Sequence, residues 1–472
     1  MSNTLTLHKM KRIYILMTFF LTGIMAEAQT SFWDGSKKIW TRGSGTENDP
    51  YLIETAANLA FLSYMVNKAF DTQGLYFRLT TDIDLNGSED QPWKPIGLYN
   101  KGTDEDGFDR GNLNDVGASP FTAFRGHFDG NGHVISNIYV DNENGYAGLF
   151  GYADAQTEEK MATIENVLVS NGYIKGNVCG GIVGKGGNLI VSHCRNGAAV
   201  EGQDVGGIVG NGSKAIHNCS NVGLLTGFYV GGIVGGKNSK AEITECFNEG
   251  SITTSGCSGG ILCSSIKASI DNCYNTGAIS AYGETSNYFP TAGGLVGIVS
   301  TRFEANNSYN VGEITGNHHV GCLIGYATSP ENIIVENCYY LNICSESEYG
   351  IPKTAEEMCD NAFVDVLNQN DAVWGLDVNN INDGFPILTR TDLSVNENAE
   401  KCLAVYPNPT NGTVNIEGTE AVEIQIYNLL GQSVKTFTNT NKINVEGLSE
   451  GIYLLRITDK EGNSYLEKII KE

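Results

Sequence analysis

One glycine-rich phrase recurs across the middle of the chain. Val178-Cys179-Gly180-Gly181-Ile182-Val183-Gly184 is followed by close copies at Gly206-Gly207-Ile208-Val209-Gly210, Gly231-Gly232-Ile233-Val234-Gly235, Gly259-Gly260-Ile261-Leu262-Cys263, Gly293-Gly294-Leu295-Val296-Gly297 and Gly321-Cys322-Leu323-Ile324-Gly325. An earlier variant is Ala147-Gly148-Leu149-Phe150-Gly151. The second positions lie between 25 residues (Gly207 to Gly232) and 34 residues (Gly260 to Gly294) apart. A repeat of that period is a supersecondary unit that buries its apolar face only by stacking on the next unit, so the chain must be elongated and built coil on coil.

From Tyr139 to Asn342 each unit has three parts: a segment such as Ile270-Asp271-Asn272-Cys273-Tyr274-Asn275, a short run such as Ala278-Ile279-Ser280, and the Gly-Gly-aliphatic-aliphatic-Gly phrase. Each is a short β-run bounded by Asn or Gly, which predicts about three strands and three corners per unit and parallel sheets between units. The expected fold is an all-β parallel β-helix, right-handed by the general rule for parallel crossovers. A column of Asn196, Asn221, Asn248, Asn275 and Asn310 suits corners, since Asn tolerates left-handed backbone and its amide bonds up and down a stack. Cys194, Cys219, Cys246, Cys273 and Cys338 form a second column in which Val167 and Ser308 take the same slot. The slot calls for a small buried side chain, and a column of packed thiols and a set of disulfides both satisfy it.

The glycine content, 58 of 472 residues, has no triplet period and is spent on these turns. A net charge of −24 argues against nucleic acid as a partner and agrees with a protein outside the cell. The start of the chain agrees too. Lys9, Lys11 and Arg12 precede an apolar run from Ile13 to Met25 and the small-x-small site Ala26-Glu27-Ala28, so residues 1–28 are expected to be a signal peptide cleaved after Ala28. No later stretch of about 18 uncharged apolar residues indicates a transmembrane helix.

Residues 29–138 are expected to hold an N-terminal cap and the first coils, with a helix between Thr55 and Asn67 that has Leu59, Leu62, Met65 and Val66 on one face and Thr55 as N-cap. Lys101 to Pro120 is a polar acidic loop, and Asp129-Gly130-Asn131-Gly132 is a turn. The repeat fills 139–350. Residues 351–392 leave it, with helical spacing between Thr354 and Leu367, and are expected to cap the far end; 393–401 is a polar linker. From 402 to 472, short alternating strands separated by Gly and Asn predict a small antiparallel β-sandwich.

Two resemblances follow from these motifs. The Gly-Gly-Leu/Ile-Val-Gly units, with Asp49-Pro50-Tyr51, Asp82-Ile83-Asp84-Leu85, Pro95-Ile96-Gly97 and Phe124 to Gly132, resemble GLUG-repeat bacterial surface proteins over about residues 42 to 390. The tail, through Tyr406-Pro407-Asn408-Pro409, Tyr427-Asn428-Leu429-Leu430-Gly431 and Gly451-Ile452-Tyr453, is similar to the type A C-terminal sorting domain of type IX secretion cargo. That second resemblance implies a Gram-negative bacterium, recognition of the tail by the type IX translocon, and a mature protein secreted or held at the outer-membrane surface.

Motifs for catalysis are missing. There is no His-Glu-x-x-His, no Gly-x-Ser-x-Gly and no phosphate loop, and no cofactor is expected. The acidic loop from Asp104 to Asp115 offers carboxylates for calcium, but its spacing does not match the EF-hand and fits a solvated loop better. The residue after each cysteine is Phe247, Tyr274, Tyr309 and Tyr339 in successive coils. Simple alternation turns these rings outward into a ladder on which sugars stack, whereas a bend between Ile270 and Cys273 sends them into a core. The expected function is thus non-enzymatic: an adhesin binding extracellular glycans or host and matrix proteins. The alternative is a polysaccharide-active β-helix lyase or glycosidase, for which Glu245 and Asp271 on neighbouring units are carboxylate candidates.

Overall fold

The computed structural model describes residues 31–99, 121–237, 239–283, 290–344, 347–369, 372–389, 404–406, 408, 410–417, 421–427, 433–449, 451–460 and 464–471. The chain forms two compact units that divide between Leu393 and Ser394. Ala28, the acidic loop and the expected linker lie outside the described residues.

The first unit is a parallel β-helix. Ten strands from Tyr51–Ile53 to Ile333–Glu336 stack in one parallel sheet, and eleven from Ser31–Phe32 to Ile351–Lys353 in a second. A third sheet runs from Ile138–Ala147 to His319–Gly321, and a fourth, carrying the Val of the repeat phrase, from Phe150–Ala153 to Ile324–Ala327. Pairing is residue for residue between coils, as in Leu225↔Ile252 and Ile252↔Ile279. Ile182, Val183, Ile208, Val209, Ile233 and Val234 are fully buried and line one continuous core.

Most coils thus have four strands, and those starting at Ala268 and Phe303 five, where about three were expected. The extra corner falls inside the segment read as one run, at Asn166, His193, Asn218, Glu245, Asn272, Asn307 and Asn337, all with φ between 47° and 56°. This left-handed corner lets Ile270 and Cys273 both point inward although they are three apart, because the strand bends between them. It also corrects the expectation for the column from Asn196 to Asn310, which does not hold the left-handed positions. Those five side chains are buried in the core wall. The Nδ2 of the first four donates to the Oδ1 of the Asn one coil on at 2.8 Å, ending at Asn310, and all five donate to the carbonyl two residues ahead at 2.9–3.1 Å.

The cysteine column is a column of thiols. Cys194, Cys219, Cys246, Cys273 and Cys338 are unbridged and buried. Each sulfur donates to a carbonyl two residues back at 3.2–3.3 Å. Cys219, Cys246 and Cys273 also accept the backbone N–H of the coil before at 3.4 Å. Ser308 fits the slot because its hydroxyl does the same work, accepting from Cys273 N at 3.0 Å. One disulfide, Cys322–Cys344, lies off the column.

Helix α1, Ala56–Asn67, is capped by the Thr55 hydroxyl, which accepts from Asn58 N at 3.2 Å, and buries Leu59, Leu62 and Val66 in the β-helix core. Beyond the repeat the expected single helix is two. α2, Ala355–Met358, opens on a Thr354–Glu357 capping box, and α3, Asn361–Asn368, restarts because the Asp360 carboxylate accepts from Ala362 N. Val366, placed on the apolar face by spacing, is exposed.

The second unit pairs its strands antiparallel in two sheets, Ala404–Tyr406, Thr413–Glu417 and Lys442–Asn444 in one, Ser433–Thr438, Ala421–Tyr427, Gly451–Asp459 and Ser464–Lys471 in the other. They share a core of Val414, Ile416, Ile424, Ile426, Ile443, Leu455, Ile457 and Ile469.

The Asn ladder is expected to be the most sensitive polar element of the stack. Asn248→Ala removes an amide bonded above, below and to its own turn, leaving Asn221 Nδ2 with Gly223 O as its remaining acceptor, and should cost about 2–4 kcal/mol. Urea denaturation of the variant measures this; a loss under about 0.5 kcal/mol would show that the ladder is not a structural element.

Candidate functional site

The aromatic ladder forms, but it is covered. Phe247, Tyr274, Tyr309 and Tyr339 are register neighbours, with ring centroids 4.7 Å apart and planes 2° apart for Phe247 and Tyr274, and 5.2 Å and 7° for Tyr274 and Tyr309. Alternation does turn them out of the coil, since Cys273 belongs to the main core while the rings belong to a separate cluster with Met358, Phe363, Val364, Leu367 and Trp374. The 351–389 segment therefore lies along the side of the stack. It is pinned there by Tyr309 OH donating to Pro386 O at 2.6 Å, Asn382 Nδ2 donating to Tyr309 OH at 2.9 Å, and Trp374 Nε1 donating to Asn272 Oδ1 at 2.9 Å. The four rings are at most 8% exposed, so a sugar has no ring face to stack on. Burial also drives the Tyr274 and Tyr309 hydroxyls well above the usual tyrosine range.

Glu245 and Asp271 do not face each other as a pair. Glu245 occupies the left-handed corner, and Asp271 pairs in register with Thr244.

The first coils hold a polar cleft that the sequence reading did not single out. A cavity of about 150 Å³ is lined by Glu47, Pro50, Tyr76, Phe77, Arg78, His127, Asp129 and Glu165. Parallel pairing places its functional groups side by side. Tyr76 pairs with His127, Arg78 with Asp129, and Asp129 with Glu165. Side chains at equivalent positions of adjacent coils point the same way, so one row carries Tyr76, His127 and Thr163 and a second carries Arg78, Asp129 and Glu165. The Tyr76 and His127 rings stack at 4.2 Å and 20°. His127 Nδ1 lies 2.9 Å from Thr163 Oγ1, and burial pushes its pKa down, which leaves a neutral imidazole at pH 7.

The two carboxylates differ. Asp129 Oδ2 accepts from Arg78 Nε at 2.8 Å, while Oδ1 accepts from Asn131 N at 2.8 Å and Asn166 Nδ2 at 2.9 Å; it closes the Asp-Gly-Asn-Gly turn. The Glu165 carboxyl has no hydrogen-bond partner among the described residues, and burial first, then the Asp129 charge, raises its pKa. The signal for this site was present in the Phe124–Gly132 stretch and Tyr76–Arg78, but only the register of the coils brings them together. Among the described residues no group of three or more His, Cys, Asp or Glu is arranged to hold a metal.

In the second unit the sorting-motif residues that are described have structural roles. Asn408 Oδ1 accepts from Ile470 N at 2.8 Å and so caps the last strand, Tyr453 OH donates to Ser449 O at 2.9 Å, and Gly451 has φ 150° at the start of its strand. Tyr406 lies on the first strand of the unit, and Pro407, Pro409 and Gly431 lie outside the described residues. A family model, "Secretion system C-terminal sorting domain", matches residues 404–472. The tail is a secretion sorting domain. It marks the protein as secreted or displayed at the cell surface, with the type IX system recognising it, and no helix among the described residues is long and apolar enough to cross a membrane.

Similarity elsewhere is partial. Halomucin of Haloquadratum walsbyi is 29% identical over 211 residues, 43% of this chain and 2% of that protein. An ulvan lyase of Nonlabens ulvanivorans is 34% identical over 89 residues, 18% of this chain and 17% of the lyase. β-Agarase D of Zobellia galactanivorans is 38% identical over 69 residues, 14% of each chain. The matches thus span 2% to 17% of these relatives' own length. A solved IgA1 protease aligns over 65% of this chain and 22% of its own at 18% identity and a TM-score of 0.34, too low to carry an argument.

Glu165 provides a test of the cleft's electrostatics. Its folded pKa lies above the unfolded value, so the folded state is penalised as pH rises through the raised value and unpenalised below the ordinary value of 4.5. Glu165→Gln is therefore expected to raise the melting temperature at pH 7 and to leave it unchanged at pH 3.5; an equal shift at both would overturn the assignment.

Proposed function

We propose that the chain is an exported, non-enzymatic β-helix protein of the GLUG-repeat type that acts as an adhesin for neutral glycans, and that the cleft around Tyr76 and His127 is its contact site. The reading rests on one observation: a cleft of about 150 Å³ that joins a stacked aromatic pair to hydrogen-bonding carboxylates and a guanidinium. That volume takes about one sugar ring, whose C–H face suits an aromatic wall and whose hydroxyls suit Glu47, Glu165 and Arg78. Arg78 is neutralised by Asp129, so Glu47 and Glu165 leave the cleft negative and set it against uronate or sulfate groups. The 69 residues shared with the agarase equal the length of the tail from 404 to 472, and the 89 shared with the ulvan lyase exceed it by 20. We infer that a common sorting domain contributes to both matches, which therefore do not by themselves argue for a common activity.

A second reading, a polysaccharide-active enzyme, is favoured by Glu165 alone, whose raised pKa is that of a general acid. Hydrolysis asks for a second carboxylate free to act; Asp129 is committed to three donors, so on this reading the partner of Glu165 would be Glu47, which lines the same cleft.

On a glycan array the full mature protein is expected to bind neutral glycans, and Tyr76→Ala with His127→Ala to weaken that binding by at least about tenfold, or about 1.4 kcal/mol. Undiminished binding by the double variant would sink the cleft. Release of reducing ends from the bound glycan, abolished by Glu165→Gln with binding retained, would replace adhesion by catalysis.

Export has its own test. Deleting residues 402–472 should trap the protein in the periplasm, as read by fractionation and surface labelling; surface delivery at the full-length level would refute a sorting role.

A further inference from the structure

Two cysteines outside the column share one coil, and both depart from the repeat. Cys263 replaces the closing glycine that the other phrases carry at Gly184, Gly210, Gly235, Gly297 and Gly325. That glycine is required elsewhere because its backbone presses on the coil before: a Cβ at Gly210 would come within 2.5 Å of Cys179 O, and one at Gly297 within 2.5 Å of Ser258 O. Cys257 pairs in register with Tyr229 on one side and Thr291 on the other, and reaches that place through a register shift of its strand between Thr254 and Cys257. A costly side chain at 263 and an irregular strand before 257 are thus concentrated in one coil.

The two departures meet. Cys257 Sγ lies 3.2 Å from Cys263 O, and Cys263 Sγ lies 3.4 Å from Cys257 O. Both residues are buried, in a small cluster of their own with Tyr229, Phe228 and Ile298. The column thiols also neighbour one another from coil to coil, but each lies on a different coil and donates to a carbonyl two residues back, whereas Cys257 and Cys263 share one coil and each points at the other's carbonyl.

We propose that Cys257 and Cys263 close a second disulfide during export, a staple across the corner where the final glycine is lost. The chain already carries one oxidised pair, Cys322–Cys344, and an exported protein matures in an oxidising compartment. Closing the bond joins the two sulfurs and removes two protons and two electrons. The acceptor is the disulfide of an extracytoplasmic thiol oxidase, which leaves as the dithiol. Oxidation precedes stacking of the next coil, because the folded corner buries both thiols out of reach of an oxidase.

The test uses full-length protein recovered from the medium or surface of a cell that secretes it, denatured in excess iodoacetamide without reductant and digested with trypsin. The peptide between Lys240 and Lys267 contains Cys246, Cys257 and Cys263. One label, on Cys246, with a mass about 2 Da below that of the corresponding dithiol, is the expected result, with the remaining column cysteines labelled. Labels on all three cysteines would overturn the staple. Cys263→Gly restores the repeat residue and so preserves the coil; in that variant Cys257 should become labelled, and a Cys257 still blocked would place its bond elsewhere and overturn the pairing.

Discussion

The structure depends on how closely the backbone of one coil approaches the next at the Gly-Gly corner. The second glycine of each phrase faces the Asn ladder: a Cβ at Gly207 would fall 2.5 Å from Asn221, and one at Gly260 2.5 Å from Asn275. The corner backbones are bonded from coil to coil, as in Gly232 N to Gly259 O and Gly260 N to Gly293 O, both 3.0 Å. Any side chain there would part the coils and break the amide ladder along with the backbone bonds. The one exception shows the rule at work. At Cys322 the next coil has Tyr340 in register with Asn310, so the ladder has ended, and the released space admits a side chain that is tied to Cys344.

Once that corner is fixed, the inward and outward positions follow from it. The left-handed residue from His193 to Asn307 turns the chain, the next position points inward as a thiol or hydroxyl, the one after points outward, and the Asn points back into the wall. A regular repeat leaves little freedom for chemistry, since each coil repeats the same turn and the same ladder. The cleft lies where the regularity has not yet begun. Tyr76, Arg78, His127 and Asp129 precede the first Gly-Gly phrase, and Glu165 is in the coil that leads into it.

This explains what the sequence made legible. Stacked short strands, the aliphatic lining, the Thr55 cap and the sorting motif were readable because each rests on a local pattern repeated or closely spaced. The fourth strand was not, because Glu245 and His193 hold a left-handed corner that their residue types do not advertise. The cover on the ladder was not, because spacing shows that Phe363 and Leu367 share a face but not which surface they meet. The cleft was missed for a third reason: Arg78 and Asp129 are 51 positions apart, and only the coil length between them brings them to 2.8 Å.

The covered ladder also bears on where recognition can occur. Four consecutive rings on a water-facing sheet would make an apolar strip that an exported protein would have to keep from self-association. The 351–389 segment removes it, and does so specifically, with Asn382 and Pro386 satisfying the Tyr309 hydroxyl that burial would otherwise strand. A ring whose hydroxyl is saturated from within the chain has been committed to packing. The Tyr76 and His127 pair is different: it borders open volume, its neighbours Glu47 and Glu165 keep acceptors directed at that volume, and the strand register holds the set rigid without a ligand. On the reading proposed above, recognition falls to the coils that the repeat has not regularised, while the repeat itself sets their spacing.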